Sequence, residues 1–193
     1  MKTVLDVGCG DARGRVPAYY DDWRRVRLDI DPRFEPEILL DARQLQTLPA
    51  ESYDAVYCSH NLEHYHRHDG LKVVAGVRHV LKPNGFFELR VPDLAAVMAT
   101  GLDVDDVLYH VGDRPILVRD VIYGWHVPIE QTGDDFYAHK TGFSLNALLR
   151  FVAPLGFPQY AIGPGMAFEL RVWFFPQIPS EEINAMLRTA TPE

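Results

Sequence analysis

Cysteine is scarce in this chain: Cys9 and Cys58 are the only two in 193 residues. A small secreted scaffold held by disulfides needs more than one pair, so that class is excluded. Long apolar runs are also missing, and none approaches the roughly 18 residues of a membrane span. Basic residues are outnumbered, 19 Lys and Arg against 27 Asp and Glu, for a formal charge of −8. Such a balance suits nonspecific nucleic-acid binding poorly, because phosphates must be neutralised by cations. No repeat or low-complexity linker interrupts the chain, and its first ten residues enter a strand-like motif rather than a signal peptide. A cytoplasmic protein without a membrane partner is expected, its two cysteines reduced.

What is present is ordinary globular composition, 47% hydrophobic and 24% charged, enough to build one core over a single domain, 1–193. Short β-like runs alternate with helical stretches, the mark of an α/β sheet. Thr3–Val7, Val26–Leu28, Ile38–Leu40, Tyr53–Cys58 and Phe86–Val91 read as strands. Leu71, Val74, Val77, Val80 and Leu81 have helical spacing. Ser144 is placed to cap a helix over Leu145–Leu155 that Gly156 ends. Gln159–Ile162 and Glu169–Phe175 read as a closing hairpin, and Ser180 as the cap of a last helix through Arg188. Residues 93–143 hold no long periodic helix and are expected to form an insert on the acceptor side of the sheet. Between Asp29 and Glu37 lie only seven residues, two of them proline. A parallel crossover with its helix takes roughly 10–12 or more, so the second crossover helix is expected to be missing.

The chemistry begins at Gly8–Cys9–Gly10, directly after the first strand. Glycines there let backbone N–H groups approach a nucleoside-type ligand, and a helix that follows would add positive charge from its N-terminus. Asp29, about 20 residues further on, can accept from both hydroxyls of a ribose. Asp6 ends a buried strand, where an acid is unusual without a cation or donors nearby. It would repel a pyrophosphate but suit an ammonium and a sulfonium. Asp6, Asp29 and Asp41 all fall at C-terminal strand ends, where open α/β sheets bind ligands. A nicotinamide-dependent oxidoreductase is the rival enzyme, disfavoured by Asp6 and by the lack of G-x-G-x-x-G. A ligand-binding subunit without catalysis is the rival outside enzymes.

Val4–Gly10 resembles motif I of the class I S-adenosylmethionine-dependent methyltransferases, in the form of the type 11 methyltransferase domain. Asp29 resembles that family's ribose-binding acid, and Asp41–Ala42 its adenine-contacting pair. Ser52–Tyr57 resembles its fourth strand, Ser59–His64 the segment after it, and Leu81–Gly85 the turn into its fifth strand. Ala12 stands where many members have a third glycine. The resemblance implies a Rossmann-like seven-stranded mixed sheet, parallel except for the last strand, with helices on both faces. It implies S-adenosylmethionine as cofactor, held by Asp6, Gly8, Cys9, Gly10, Asp29, Ile30, Asp41, Ala42 and Ser59. It also implies in-line methyl transfer, here to a small-molecule or glycan-type acceptor.

His60, beside the end of the fourth strand, is the expected general base, titrating near 6.5 if unperturbed. His64, Tyr123, His126 and His139 are expected to line the acceptor pocket, mixing aromatic walls with polar tips. His60-x-x-Glu63-His64 spells an inverted zinc-protease motif but follows directly on a strand. It also resembles the E-x-x-E-H segment that holds Mg²⁺ in ubiquinone-pathway and small-RNA 2′-O-methyltransferases. With His60 in place of the first glutamate a hard ion is less natural, and no metal is expected. Apolar surface left bare by the missing helix would suit a homodimer.

Overall fold

A computed structural model of the chain describes residues 1–11 and 16–189. Seven strands form one sheet: β1 (Thr3–Val7), β2 (Arg24–Asp29), β3 (Ile38–Leu39), β4 (Tyr53–Ser59), β5 (Leu81–Pro92), β8 (Gln159–Gly163) and β9 (Glu169–Phe175). Their order is β3-β2-β1-β4-β5-β9-β8. The last strand, β9, runs antiparallel to both of its neighbours, while β1 to β5 pair in parallel. The Rossmann-like mixed sheet expected from the sequence is therefore the one formed.

Neighbouring residues on a strand point to opposite faces, and this chain makes both faces apolar. Leu5, Val56, Cys58, Phe87 and Phe174 face one side, packed under α1 (Arg67–Val80) and α5 (Leu145–Val152). Val4, Ala55, Tyr57, Phe86 and Trp173 face the other, covered by Tyr19, Tyr20, Trp23 and α6 (Glu181–Arg188). Gly76 in α1 lets that helix close on Leu45, whose Cβ would lie 2.6 Å from any Cβ added there. Ser180 caps α6 by accepting from the N–H of Ile183. Gly156 takes the left-handed conformation after a 3₁₀ turn extends α5 through Leu155.

The crossovers depart from the common pattern in two places. Between Asp29 and Glu37 there is no α-helix, only a three-residue 3₁₀ turn, Pro32–Phe34, as the short link requires. Leu39 on the edge strand is consequently 57% exposed. The helix expected after Gly10 is not seen among the described residues of the first crossover, which show a 3₁₀ turn, Ala18–Tyr20. Ala12 lies outside the described residues. The Lys82–Gly85 turn is absorbed into β5 as an irregularity, the register passing from Tyr53↔Leu81 to Ala55↔Phe86.

Residues 93–143 hold α2 (Leu94–Ala99), a hairpin of β6 (Val107–Val111) and β7 (Arg114–Leu117), α3 (Val118–Tyr123) and α4 (His126–Thr132). They form a small core of their own around Val97, Ile116, Val118 and Val121.

A carboxylate sealed in the sheet ties the first crossover down. Glu88 is fully buried and accepts from the hydroxyls of Tyr19 and Tyr20 and from the Nε groups of Arg90 (3.1 Å) and Arg171 (3.0 Å). Breaking a buried pair from one side leaves uncompensated charge, here on two arginines. Glu88→Ala is expected to cost about 3–5 kcal/mol of stability, read as a lowered denaturant midpoint. An unchanged midpoint would mean that the arginines are neutralised by other groups.

Candidate functional site

Two cavities open at the C-terminal ends of the parallel strands. The first, about 330 Å³, is bounded by Gly8, Gly10, Asp29, Ile30, Asp41 and Arg43, with His60, Asn61 and Tyr65 deeper along it. The second, about 530 Å³, lies between the β6–β7 hairpin and the β8–β9 turn. His60, His64 and Tyr137 line both. Volumes in this range hold small ligands (roughly 300–1,000 Å³).

The glycine loop owes its shape to the strand beside it. The N–H groups of Gly8 and Cys9 donate to the carbonyl of Leu28, and that of Gly10 to Asp29 Oδ2 at 2.9 Å. The loop's N–H groups are thus engaged within the protein, and its contribution to the cavity is close backbone approach. Gly8, at φ +72°, has no room for a side chain because a Cβ would overlap the side chain of Asn61. Gly10 has φ +53° and open space where a Cβ would stand.

The four acids are held differently. Asp6, expected against a cationic ligand, is buried and paired with Arg25, whose Nε lies 2.8 Å from Oδ2. It does not border the first cavity, so its cation comes from the next strand. Asp31 accepts from Arg33 Nε at 2.8 Å. Asp41 caps the 3₁₀ turn Ala42–Thr47 and pairs with Arg43; burial pushes its carboxyl up, but Arg43 outweighs this and holds it below the usual range. Asp29 is held by backbone alone, Gly10 N–H on Oδ2 and Asp31 N–H on Oδ1, each at 2.9 Å. Among the described residues no cation hydrogen-bonds it, which leaves its charge facing the cavity. A neutral polyol that donates two hydroxyls fits that edge.

The remaining residues expected around the cofactor divide. Ile30 lines the first cavity, half exposed. Cys9, Ala42 and Ser59 do not line it; Cys9 and Ala42 are buried beneath the loops they belong to. Burial, then Asp6 and Asp29, push the Cys9 thiol up to about 11, and burial raises that of Cys58 further, so both stay unreactive thiols.

His60 sits between two carboxylates. Its φ is +49°, and its Nε2 lies 2.8 Å from Glu169 Oε2 while Nδ1 stands 3.3 Å from Glu63 Oε1. Burial opposes charging of the ring, but Glu169 and Glu63 outweigh it and push the pKa up to about 10. The value near 6.5 is that of an unperturbed ring, and the two carboxylates shift it upward here. Glu63 was read from sequence only within the His60-x-x-Glu63-His64 motif, and Glu169 was not singled out; its signal was an acid opening a strand that carries one other charge, Arg171.

Of the four residues expected at the acceptor, two line the second cavity. His64 and His139 line the second cavity, their rings 4.9 Å apart. Tyr123 and His126 do not. Tyr123 ends α3 with 64% of its surface exposed, and His126 is turned away by its pairing with Asp120. The walls come instead from Tyr109 stacked on Phe168 (6.0 Å) and from Arg114 lying 4.2 Å over Trp125.

Residues 5–89, from β1 into β5, match the family model of a methyltransferase domain. An S-adenosylmethionine-dependent methyltransferase from Archaeoglobus fulgidus shares the fold with a TM-score of 0.53 and 19% identity, over 83% of this chain and 63% of that one. This chain therefore spans under two thirds of that protein's length. A second, from Thermotoga maritima, gives a TM-score of 0.59 at 14% identity, over 92% and 83% of the two chains. The 1,6-didemethyltoxoflavin-N1-methyltransferase of Burkholderia thailandensis, solved with that compound and S-adenosylhomocysteine, gives 0.52 at 16% identity, over 89% and 68%. No curated protein sequence matches the chain. Just under half of the chain is thus similar to a methyltransferase domain, and its sheet is shared with S-adenosylmethionine-dependent methyltransferases of known structure.

Proposed function

We propose that the first cavity holds S-adenosylmethionine and that the second holds a small-molecule or glycan-type acceptor of the methyl group. The observation that carries this is the shared wall: His60, His64 and Tyr137 border both spaces, so ligands in the two meet there. Asp29 takes the ribose hydroxyls, Ile30 packs on the nucleoside, and the bare backbone of Gly8 and Gly10 admits the methionyl part. Tyr109, Trp125 and Phe168 give flat apolar walls to the acceptor, with Arg114 and His139 as polar contacts. The Burkholderia enzyme, solved with a compact small molecule, supports an acceptor of that size.

The sulfonium of the cofactor supplies an activated methyl group. The chain's own work is to hold an acceptor atom in line with it, and alignment of this kind lowers barriers by up to roughly 7–11 kcal/mol. His60, held between Glu63 and Glu169, acts as a charged wall beside the acceptor, not as its base.

Three measurements test this reading. Asp29→Ala is expected to weaken S-adenosylhomocysteine binding by about 1.5–3 kcal/mol in calorimetry, the range for hydrogen bonds to a charged group. Unchanged affinity would remove Asp29 from the ribose. Trp125→Ala should raise KM for an acceptor found by a radiolabelled-methyl screen and leave S-adenosylhomocysteine affinity as it was; an equal loss in both would put the acceptor elsewhere. Folded His60→Gln should lose less turnover than the roughly 10²–10⁴-fold that follows loss of a general base. A loss within that range at neutral pH would restore His60 as the base.

A further inference from the structure

Beside the second cavity three donor side chains converge: Glu63, His64 and His139, whose donor atoms all lie within 4.8 Å of one another. Glu63 is 1% exposed, and neither of its carboxylate oxygens accepts a hydrogen bond. The contact with His60 Nδ1 at 3.3 Å is one of charge, without hydrogen-bond geometry. A sealed carboxylate in that condition is rare, since buried polar groups are ordinarily satisfied.

The two imidazoles are oriented from behind. His64 Nδ1 lies 3.2 Å from the carbonyl of Ala138, and His139 Nδ1 lies 2.9 Å from that of Val121. A ring that donates Nδ1–H to a backbone carbonyl keeps Nε2 as a lone-pair donor, the arrangement that fixes metal-binding histidines. The carbonyl of Glu63 accepts from the N–H groups of Lys140 (2.8 Å) and Thr141 (3.1 Å), which fastens its turn to the segment carrying His139. So the ligands come from two parts of the chain that backbone hydrogen bonds hold in register.

We propose that Glu63, His64 and His139 bind a divalent ion of borderline softness, of the zinc or cobalt class. Two imidazole nitrogens with one carboxylate suit such ions, whereas magnesium and calcium favour all-oxygen sets. His64 and His139 line the second cavity, so the open coordination positions face it, available to water or to an acceptor oxygen. From sequence no metal was expected, and His139 could not be joined to Glu63 and His64 because 74 residues separate His64 from Ala138, the residue before it.

The test uses the full chain, stripped with a chelator and titrated with Co²⁺. The expected result is one equivalent bound, with a visible absorption band, and a raised melting temperature. His64→Ala and His139→Ala should each weaken Co²⁺ binding at least tenfold, while His68→Ala, an exposed imidazole outside the cluster, leaves it unchanged. Glu63→Gln should also weaken it, and circular dichroism on each variant separates loss of a ligand from loss of the fold. S-adenosylhomocysteine binding, followed in parallel, keeps this result independent of the cofactor assignment. No absorption band, or binding that survives both histidine substitutions, overturns the site. Displacement of Co²⁺ by Mg²⁺ at equal concentration overturns the choice of ion.

Discussion

A single carboxylate without access to water sets much of this structure. Glu88 lies within β5, and all but one of the groups that answer its charge come from elsewhere in the fold. Tyr19 and Tyr20 reach it from the first crossover, Arg171 from β9 and Arg90 from its own strand. Tyr19 is shared further, accepting from Arg171 Nη2 at 2.9 Å and from the Trp173 indole at 3.3 Å. A buried carboxylate is tolerable only when its lone pairs are met by donors and its charge by cations. The antiparallel strand and the chain that follows the glycine loop are thus bound to one point. Burial together with Glu88 raises the hydroxyl pKa values of both tyrosines, which keeps them as donors.

Electrostatic compensation also explains how an acidic chain presents a usable cavity. Three of the four acids at the strand ends carry their own arginine: Asp6 with Arg25, Asp31 with Arg33, Asp41 with Arg43. In two of these the arginine is two residues on, so the pair forms within one turn. Among the described residues Asp29 is the exception, held by N–H groups without a cation, and it lines the first cavity together with Asp31 and Asp41.

What the sequence reveals here is local. The strands, the cap at Ser180 and the left-handed Gly156 follow from spacing and residue type over a few positions. The missing second crossover helix follows from counting Ile30–Pro36. The turn at Gly8 and Gly10 and its closeness to Asp29 are legible because glycines after a strand and an acid about 20 residues on are a local pattern. What fails is what depends on partners far along the chain. Asp6 looked free until β2 brought Arg25 beside it. His60 looked like an ordinary imidazole, because neither Glu169, from the closing hairpin, nor the burial of Glu63 is visible in residues 59–64. Tyr123 and His126 have the right chemistry, but α3 and its Asp120 turn them elsewhere.

The order of the strands has a consequence for how the chain comes off the ribosome. β1 to β5 are made first and can pair side by side as they emerge. The outer edge of β5 must then wait for β9, which arrives only after the whole hairpin-and-helix segment has been made. Until then a long apolar strand shows unpaired N–H and C=O groups on one side, the usual template for wrong pairing between chains. Glu88, Arg90 and the small core around Val97 and Ile116 fall in or beside that interval. Two buried charges on the waiting edge keep it hydrated and make it a poor match for another copy of itself until Arg171 and the tyrosines close over them.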